Sequence, residues 1–404
     1  DLGDVLLEVW ALDLAGNVDT CTTVLQVVDN YGLCGDTAEV NIRVCFRHWC
    51  DGAPVLGPVL DMDYWPYIVQ GNITLSVDAL GCRLIQGTLP ALYNSFLVVP
   101  SMTTDPLNGV DLFDLVLINR HILGLSPLPP LGIIAADANN SRSVTTFDII
   151  TLRNLLTGML TGFPGHSGAT WRLVDAQHVF SVPSNPFFDF FSEDQFLDTL
   201  QGEAIFWAIK IGDVNCSAFP GMAPSAETRS TVYLHMPNRA LLPGEVADIP
   251  VYFSEQEDWL GFQLGLAFDP SQVAVEAVLP GNLPNWDEYS AVQPRPGSLN
   301  ILWYDTEAHP LGPDAPAFTL RLRALVPTAV QEALAVAPGG RAEAFARAET
   351  AHNLQLRFLD TAASGTHIGE AQPNPTAAGT GIALQLEQAG VVQRTGQIGL
   401  EQQS

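Results

Sequence analysis

Residues 137–148 have the sequence DANNSRSVTTFD, which places oxygen-bearing side chains at positions 1, 3, 5, 9 and 12 of a twelve-residue loop. A calcium ion requires this kind of spacing, because it takes six to eight oxygen ligands at about 2.3 to 2.6 Å and a loop of this length can surround it. A short apolar run follows directly. The segment therefore predicts a calcium loop that leads into a helix.

The same pattern occurs twice in the chain. Residues 110–118 (VDLFDLVLI) align with residues 144–152 (VTTFDIITL) at an offset of 34, and Gly124 and Gly158 follow the two apolar runs at the same offset. Glycine just beyond a last turn suits a left-handed helix cap. Each predicted helix is short and apolar on more than one side, so we expect the two to pack against each other.

These residues resemble a dockerin, a module built from two calcium loops that are each followed by a helix. The resemblance implies five side-chain ligands and one backbone carbonyl, that of Ser143, in the second loop. The side-chain ligands are Asp137, Asn139, Ser141, Thr145 and Asp148. Arg142 replaces the glycine usual at its position and must accept an unusual backbone angle. The alternative interpretation is that Asp114 and Asp148 only complement the helix dipoles from the first helical turns.

The first loop is poorer in oxygen ligands. Leu107 occupies a position that needs a side-chain ligand, so we expect this loop to bind calcium more weakly than the second. The candidate ligands are Thr103, Asp105, Asp111 and Asp114.

The composition and the missing motifs argue against nucleic-acid binding and against catalysis. The chain has 404 residues and a net charge of −27, with 47% hydrophobic and 15% charged residues, which indicates packed globular domains. Such a negative charge argues against DNA or RNA as a partner, because phosphate binding needs basic patches. The sequence has no nucleophile elbow, H-E-x-x-H motif or phosphate-binding glycine loop, so we expect no catalytic site.

The first 102 residues predict disulfide-bonded β-structure. Residues 1–30 read as strand, turn and strand, and with Ala15-Gly16-Asn17 and Cys21 they resemble the closing hairpin of a hyalin-repeat, immunoglobulin-like domain. Residues 31–102 predict a small β-sandwich. Five of the six cysteines lie at positions 21, 34, 45, 50 and 82, which indicates disulfides of open pairing in an oxidising compartment. Cys216 stands apart.

Residues 103–219 predict the two loop-helix units followed by an aromatic-rich β extension. Near its end, Asp213, Asn215 and Ser217 imitate the start of another calcium loop, but no helix follows them, which favours a turn. Residues 220–228 contain prolines and small polar residues and predict a linker.

Residues 229–359 predict an antiparallel β-sandwich. The stretches 246–253, 262–268, 299–304 and 318–324 alternate with period two, as half-buried strands do. With Pro243-Gly244-Glu245 before one strand, this region resembles cohesin-like and related carbohydrate-binding sandwiches. The fold class expected for the chain is therefore mainly β and multidomain, with a small α-helical dockerin-like pair.

Residues 360–404 predict a linker and a tail. Pro373-Asn374-Pro375, followed by alternating residues 380–386, resembles the type A sorting domain of the type IX secretion system. The resemblance implies export to the cell surface of a Bacteroidota-like, Gram-negative bacterium. The alternative is a proline-rich linker before an edge strand.

Two functions from different classes follow from these features. The first is a non-catalytic structural or adhesive surface protein stabilised by calcium. Its partners would be protein modules, because the dockerin-like unit could dock a cohesin-like module on another chain, forming a filament, or at residues 229–359. The alternative is a carbohydrate-binding or docking region of a secreted glycoside hydrolase or protease whose enzyme domain lies upstream of Asp1.

Overall fold

The computed structural model describes residues 3–12, 18–28, 37–65, 75–90, 95–189, 191, 195–197, 201–219 and 229–360, with short strands at 367–368, 382–385 and 396–398. These residues are mainly β with few helices, which confirms the predicted fold class. The predicted linker at 220–228 and the motif at 373–375 lie outside them. None of the described helices is long and apolar enough to cross a membrane.

The N-terminal strands form an antiparallel hairpin of β1 (Gly3–Leu12) and β2 (Val18–Val27). The two strands match those predicted within residues 1–30, and the predicted turn lies outside the described residues. Cys21 on β2 is exposed and forms no disulfide with another described cysteine, and Cys34 lies outside the described residues.

Two four-stranded sheets combine strands from both sides of the helical region. Their strands are β3 (Thr37–His48), β4 (Val59–Trp65), β5 (Leu75–Ser76), β6 (Cys82–Pro90), β7 (Ser95–Ser101), β8 (Trp171–Asp175), β9 (Gln195–Leu197) and β10 (Gln201–Lys210). One sheet has the order β6-β3-β10-β8 and the other β5-β4-β7-β9. β10 pairs in parallel with β3, and β9 pairs with β7. The domain boundary expected between residues 102 and 103 therefore lies between strands of the same sheet.

Two disulfides fix this arrangement. Cys45 on β3 is bonded to Cys82 on β6, and Cys50 is bonded to Cys216. Cys216 stands apart in the sequence, but the parallel pairing brings the end of β10 beside the end of β3. Phe46 and Phe206 stack between these two strands, with ring centroids 5.4 Å apart.

The helical unit, residues 103–170, contains α1 (Leu112–Ile122), α2 (Pro130–Ala136) and α3 (Thr146–Leu156). Helices α1 and α3 begin at the equivalent positions that the repeat predicts, and they are in contact with each other. Each starts with a capping box, formed by Asp111 and Asp114 in α1 and by Thr145 and Asp148 in α3. Gly124 and Gly158 have φ of 71° and 74°, as left-handed caps require.

The sandwich, residues 229–360, contains a ten-stranded sheet that includes every stretch predicted as a strand. Its main strands run in the order β15-β18-β13-β11-β22-β21-β14-β17-β16. The elements are β11 (Thr231–Asn238), β12 (Ala240–Leu241), β13 (Val246–Phe253), β14 (Glu257–Phe268), β15 (Val273–Pro280), β16 (Ala291–Val292), β17 (Ser298–Leu311), β18 (Phe318–Ala324), β19 (Thr328–Ala329), α4 (Val330–Ala333), β20 (Leu334–Val336), β21 (Ala342–Ala346) and β22 (Ala351–Asp360).

Strand β14 is buried along most of its length because it is covered on both faces. Trp259 and Phe262 belong to the core of the sandwich, whereas Leu260 belongs to the core of the helical unit. A separate three-stranded sheet near the C-terminus consists of β23 (His367–Ile368), β24 (Ile382–Gln385) and β25 (Gly396–Ile398).

Candidate calcium loops and the module interface

The predicted calcium loop, residues 137–148, folds around the buried carboxylate of Asp137. Asp137 Oδ1 accepts a hydrogen bond from the backbone N–H of Ser141 at 2.8 Å, and Oδ2 accepts one from that of Arg142 at 3.0 Å. Asn140 and Arg142 have φ of 57° and 62°, which turn the chain around the carboxylate. Arg142 therefore adopts the unusual backbone angle that the sequence predicts.

Asp148 closes this loop at the start of α3. Its Oδ1 accepts from the backbone N–H of Asn139 at 3.2 Å and its Oδ2 from that of Thr145 at 2.8 Å. Ser141 Oγ donates to the carbonyl oxygen of Ser143 at 3.1 Å. Burial raises the pKa of Asp148, and the charge of Asp137 acts in the same direction. The structure thus brings the six predicted ligand residues into one closed loop.

The chemistry of this donor set fits calcium, since carboxylate, amide, hydroxyl and carbonyl oxygens suit a hard cation. Arg172 Nη1 lies 3.6 Å from Asp137 Oδ2 and offsets part of the negative charge. In the part of the chain that the structure describes, no three His, Cys, Asp or Glu side chains are grouped as a ready metal site. Calcium binding by residues 137–148 would therefore depend on the neutral amide, hydroxyl and carbonyl oxygens as well as on the two carboxylates.

A second set of residues repeats this hydrogen-bond pattern beside the start of α1. Asp213 Oδ1 accepts from the backbone N–H of Ser217 at 3.0 Å, and Oδ2 accepts from that of Ala218 at 2.9 Å. These partners lie four and five residues ahead, as they do for Asp137. We call residues 213–218 together with residues 109–114 the split loop.

Asp114 joins the two halves of the split loop. Its Oδ1 accepts from the backbone N–H groups of Val214 and Asn215 at 2.8 and 3.1 Å, and its Oδ2 accepts from that of Asp111 at 2.8 Å. Ser217 Oγ donates to the carbonyl oxygen of Gly109 at 2.8 Å. The turn expected at residues 213–217 therefore lies against a helix start that precedes it by about 100 residues.

The four ligands predicted for the first loop have different surroundings. Asp111 and Asp114 are buried in the split loop, whereas Thr103 and Asp105 are exposed. Thr103 Oγ1 donates to the carbonyl oxygen of Gly168, and Asp105 Oδ1 accepts from the backbone N–H of Leu107. The polar partners of Thr103 and Asp105 thus lie outside the split loop.

The split loop contains three buried carboxylates, those of Asp111, Asp114 and Asp213. Burial, together with the negative charge of neighbouring carboxylates, raises the pKa of Asp111 to about 7 and that of Asp114 well above its ordinary value. The ammonium group of Lys210 is also buried and donates to the carbonyl oxygens of Pro106 and Ile211. Burial lowers the pKa of Lys210 to about 7, against the opposing effect of nearby carboxylates such as Asp213.

The helical unit and the sandwich share one apolar core. Leu260 on β14, Leu302 on β17 and Phe345 on β21 are buried together with the side chains of α1 and α3. Phe113 on α1 stacks on Phe345, with ring centroids 5.7 Å apart. A Cβ on Gly261 would lie 2.6 Å from Leu112 Cδ2, so glycine permits the close approach of α1 to β14.

Polar contacts surround this apolar core. Arg153 on α3 makes two hydrogen bonds to the carboxylate of Asp287 at 2.8 and 2.6 Å. Asn300 Nδ2 donates to the carbonyl oxygen of Thr157 at 2.8 Å, and Arg120 donates to that of Thr306. An apolar centre with polar contacts around it is the usual anatomy of a specific protein interface.

Solved cohesin domains resemble part of this chain. A non-cellulosomal cohesin from Archaeoglobus fulgidus shares 14% identity and a TM-score of 0.22, covering 31% of this chain and 86% of its own. A type I cohesin–dockerin complex from Clostridium thermocellum shows 14% identity and a TM-score of 0.24, covering 34% of this chain and 94% of its own. A cohesin of Acetivibrio cellulolyticus scaffoldin B, in complex with a dockerin, shows 10% identity and a TM-score of 0.23, covering 32% of this chain and 100% of its own.

No protein-family model matches the sequence, and a search of curated proteins finds no match. A cohesin-like likeness this distant assigns neither a partner nor an activity to the chain.

Proposed function

We propose that this chain is a non-catalytic docking region of an extracellular structural or adhesive protein, in which a dockerin-like helical unit is docked onto a cohesin-like sandwich of the same chain. The observation that carries the proposal is the apolar core shared by the two units, with Phe113 stacked on Phe345. A shared core of this kind distinguishes stable docking from a passing surface contact. The docked pair would act as one rigid segment of a longer surface protein.

Calcium is proposed to stabilise the helical unit. The ion would be held by Asp137, Asn139, Ser141, Thr145, Asp148 and the carbonyl of Ser143, and would supply positive charge beside two carboxylates. Because only two of these ligands are charged and Arg172 offsets one of them, the expected dissociation constant is about 10⁻⁴ to 10⁻³ M, as in extracellular modules. Such a site would fill outside the cell and remain empty in cytosol.

An extracellular location is supported by the disulfides Cys45–Cys82 and Cys50–Cys216, because such bonds persist in oxidising compartments. Export through a type IX sorting tail is part of the proposal and rests on the motif at 373–375. Docking within one chain covers the α1 face that a second chain would need. Filament growth through this pair of modules would therefore require exchange of helical units between chains.

Cleavage between the two units tests the docking. A specific protease site placed within residues 220–228 would divide the chain without cutting a disulfide, since both described disulfides precede it and no cysteine follows residue 216. We expect the two fragments to co-elute in size-exclusion chromatography with millimolar calcium and to separate after Phe345→Asp. Fragments that separate without any substitution would contradict docking.

A further inference from the structure

A cavity of about 200 Å³ lies where the helical unit meets the sandwich. Asn119 on α1 and Arg153 on α3 line it from the helical side, and residues of β17 and of the loop before β16 line it from the sandwich. Asn119 and Arg153 occupy equivalent positions of the repeat at offset 34, so both helices present the same turn to the cavity. Because its walls come from both units, the cavity exists only when they are docked.

Three polar groups at this cavity have hydrogen-bonding capacity that no described residue uses. Arg153 Nε is buried without a partner, although both Nη atoms of the same side chain bond to Asp287. Among the residues that the structure describes, none makes a hydrogen bond to the side-chain amide of Asn119 or to the hydroxyl of Tyr304. Leaving such groups unpaired is costly, so a ligand or ordered water should bond to them.

The charges around the cavity favour a neutral ligand. Asp287 neutralises Arg153, and Asp305 adds a second carboxylate to the lining. Asp305 Oδ2 accepts from Asn285 Nδ2 at 2.9 Å and lies 3.0 Å from His309 Nε2. An anion would be repelled by the two carboxylates, and a cation would be repelled by the guanidinium.

The size of the cavity and its unused polar groups indicate a hydroxyl-rich ligand. An arginine N–H only donates, whereas a tyrosine hydroxyl and an asparagine amide both donate and accept, and sugar hydroxyls complement all three. A volume of about 200 Å³ is below the roughly 300 to 1,000 Å³ of pockets for drug-sized ligands, which leaves room for about one sugar ring. Asn285 and Asp287 are exposed, so the cavity is accessible from solvent.

We propose that this cavity binds one neutral sugar ring, held by Arg153 Nε, the amide of Asn119 and the hydroxyl of Tyr304. The proposal rests on the proposed function, since undocked units would not form the cavity. The ring would contact both helices and the sandwich at once, and would therefore strengthen docking. A few hydrogen bonds to so small a ligand give an expected dissociation constant on the order of 1 mM.

Saturation-transfer NMR of the full chain with free glucose, galactose, mannose and N-acetylglucosamine tests the site. We expect at least one sugar to bind, and to bind about fivefold more weakly in Tyr304→Phe and in Asn119→Ala, which each remove hydrogen bonds to the ring. Tyr252→Phe on β13 and Asn154→Ala on α3 are the matched controls. Both residues are half-buried and lie outside the cavity, so these variants should bind as the native chain does.

Two results would overturn the proposal. One is that none of the sugars binds at concentrations up to about ten times the expected dissociation constant. The other is binding that Tyr304→Phe and Asn119→Ala leave unchanged. If the two fragments of the cleaved chain still co-elute in either case, the proposed function stands without the sugar site. If they separate without any substitution, both fall.

The side-chain Nε–H signal of Arg153 in heteronuclear NMR spectra gives a readout on the native chain, which does not depend on the folding of a variant. This signal should shift when the sugar binds, because the group gains its missing partner. A bound sugar that shifts other arginine signals and leaves this one in place would overturn the site. A disaccharide that ends in the preferred sugar distinguishes the source of the ring: binding at least as tight indicates the end of a glycan, and weaker binding indicates a free monosaccharide.

Discussion

Arg153 forms a bidentate ion pair with Asp287, although 134 residues separate them. Arg153 lies on α3 and Asp287 precedes β16, so the pair spans the interface between the helical unit and the sandwich. The guanidinium is largely buried and the carboxylate is half-exposed. The pair fixes the orientation of α3 on the sandwich, because two parallel hydrogen bonds allow only one relative geometry.

Reversal of the charge at this pair should weaken docking. In the chain cleaved within residues 220–228, Arg153→Glu should weaken fragment association on the order of tenfold, a modest loss because Asp287 is partly solvated. The double variant Arg153→Glu with Asp287→Arg should recover most of the affinity, measured by calorimetry between the fragments. A double variant no better than Arg153→Glu would show that the pair does not contribute to docking.

Acid should weaken the same interface. Hydrogen bonding from Arg153 lowers the pKa of Asp287 below its ordinary value of 3.8 in the folded chain. The pair therefore stabilises docking fully above about pH 4, and that stabilisation is lost as the pH falls through the lowered pKa. Fragment association measured from pH 6 to pH 3 should decline more in the native chain than in Asp287→Asn, in which nothing titrates at this position. Equal declines would contradict this role.

Calcium removal should destabilise the native chain more than it destabilises Asp137→Ala. At millimolar calcium and a dissociation constant of about 10⁻⁴ M, filling residues 137–148 stabilises the fold by about 1.4 kcal/mol. The melting temperature of the native chain should then rise with calcium by a few degrees, and this rise should be smaller in Asp137→Ala. Asp269→Ala, which removes an exposed turn carboxylate bonded to the backbone of Ser271, is the matched control and should retain the full rise.

The two disulfides should differ in their effect on stability. Cys50–Cys216 closes a loop with a sequence separation of 166, whereas Cys45–Cys82 closes one of 37. The longer loop restricts the unfolded chain more, by about 1 kcal/mol in the chain-entropy account. The double variant Cys50→Ala with Cys216→Ala should therefore unfold at lower denaturant than Cys45→Ala with Cys82→Ala. If Cys45→Ala with Cys82→Ala unfolded at the lower denaturant concentration, contacts in the folded state would outweigh the entropy of loop closure in the unfolded chain.

Local patterns predict much of this fold. The repeat at offset 34 places α1 and α3, and the period-two stretches place β13, β14, β17 and β18, because these elements follow from short-range sequence. The positive φ of Arg142 follows from its loop position in the same way.

Long-range pairing is what the sequence did not reveal. Nothing in residues 41–48 or 201–208 indicates that β3 and β10 pair in parallel, since strands separated by so many residues carry no turn signal. The same limit hid the split loop. Asp213-x-Asn215-x-Ser217 repeats the spacing of Asp137-x-Asn139-x-Ser141, but the helix that completes it lies upstream, so the segment reads as a turn.

The parallel pairing of β3 with β10 also sets an order of events during synthesis. β3 leaves the ribosome before its partner β10, which follows more than 150 residues later. Until then β3 has an unpaired edge, which can associate with other chains. Contacts this distant in sequence form slowly, because a long loop must close first. The whole helical unit must therefore be made before the first sheet can be completed, and a chain that stops before residue 201 leaves this edge of β3 unpaired.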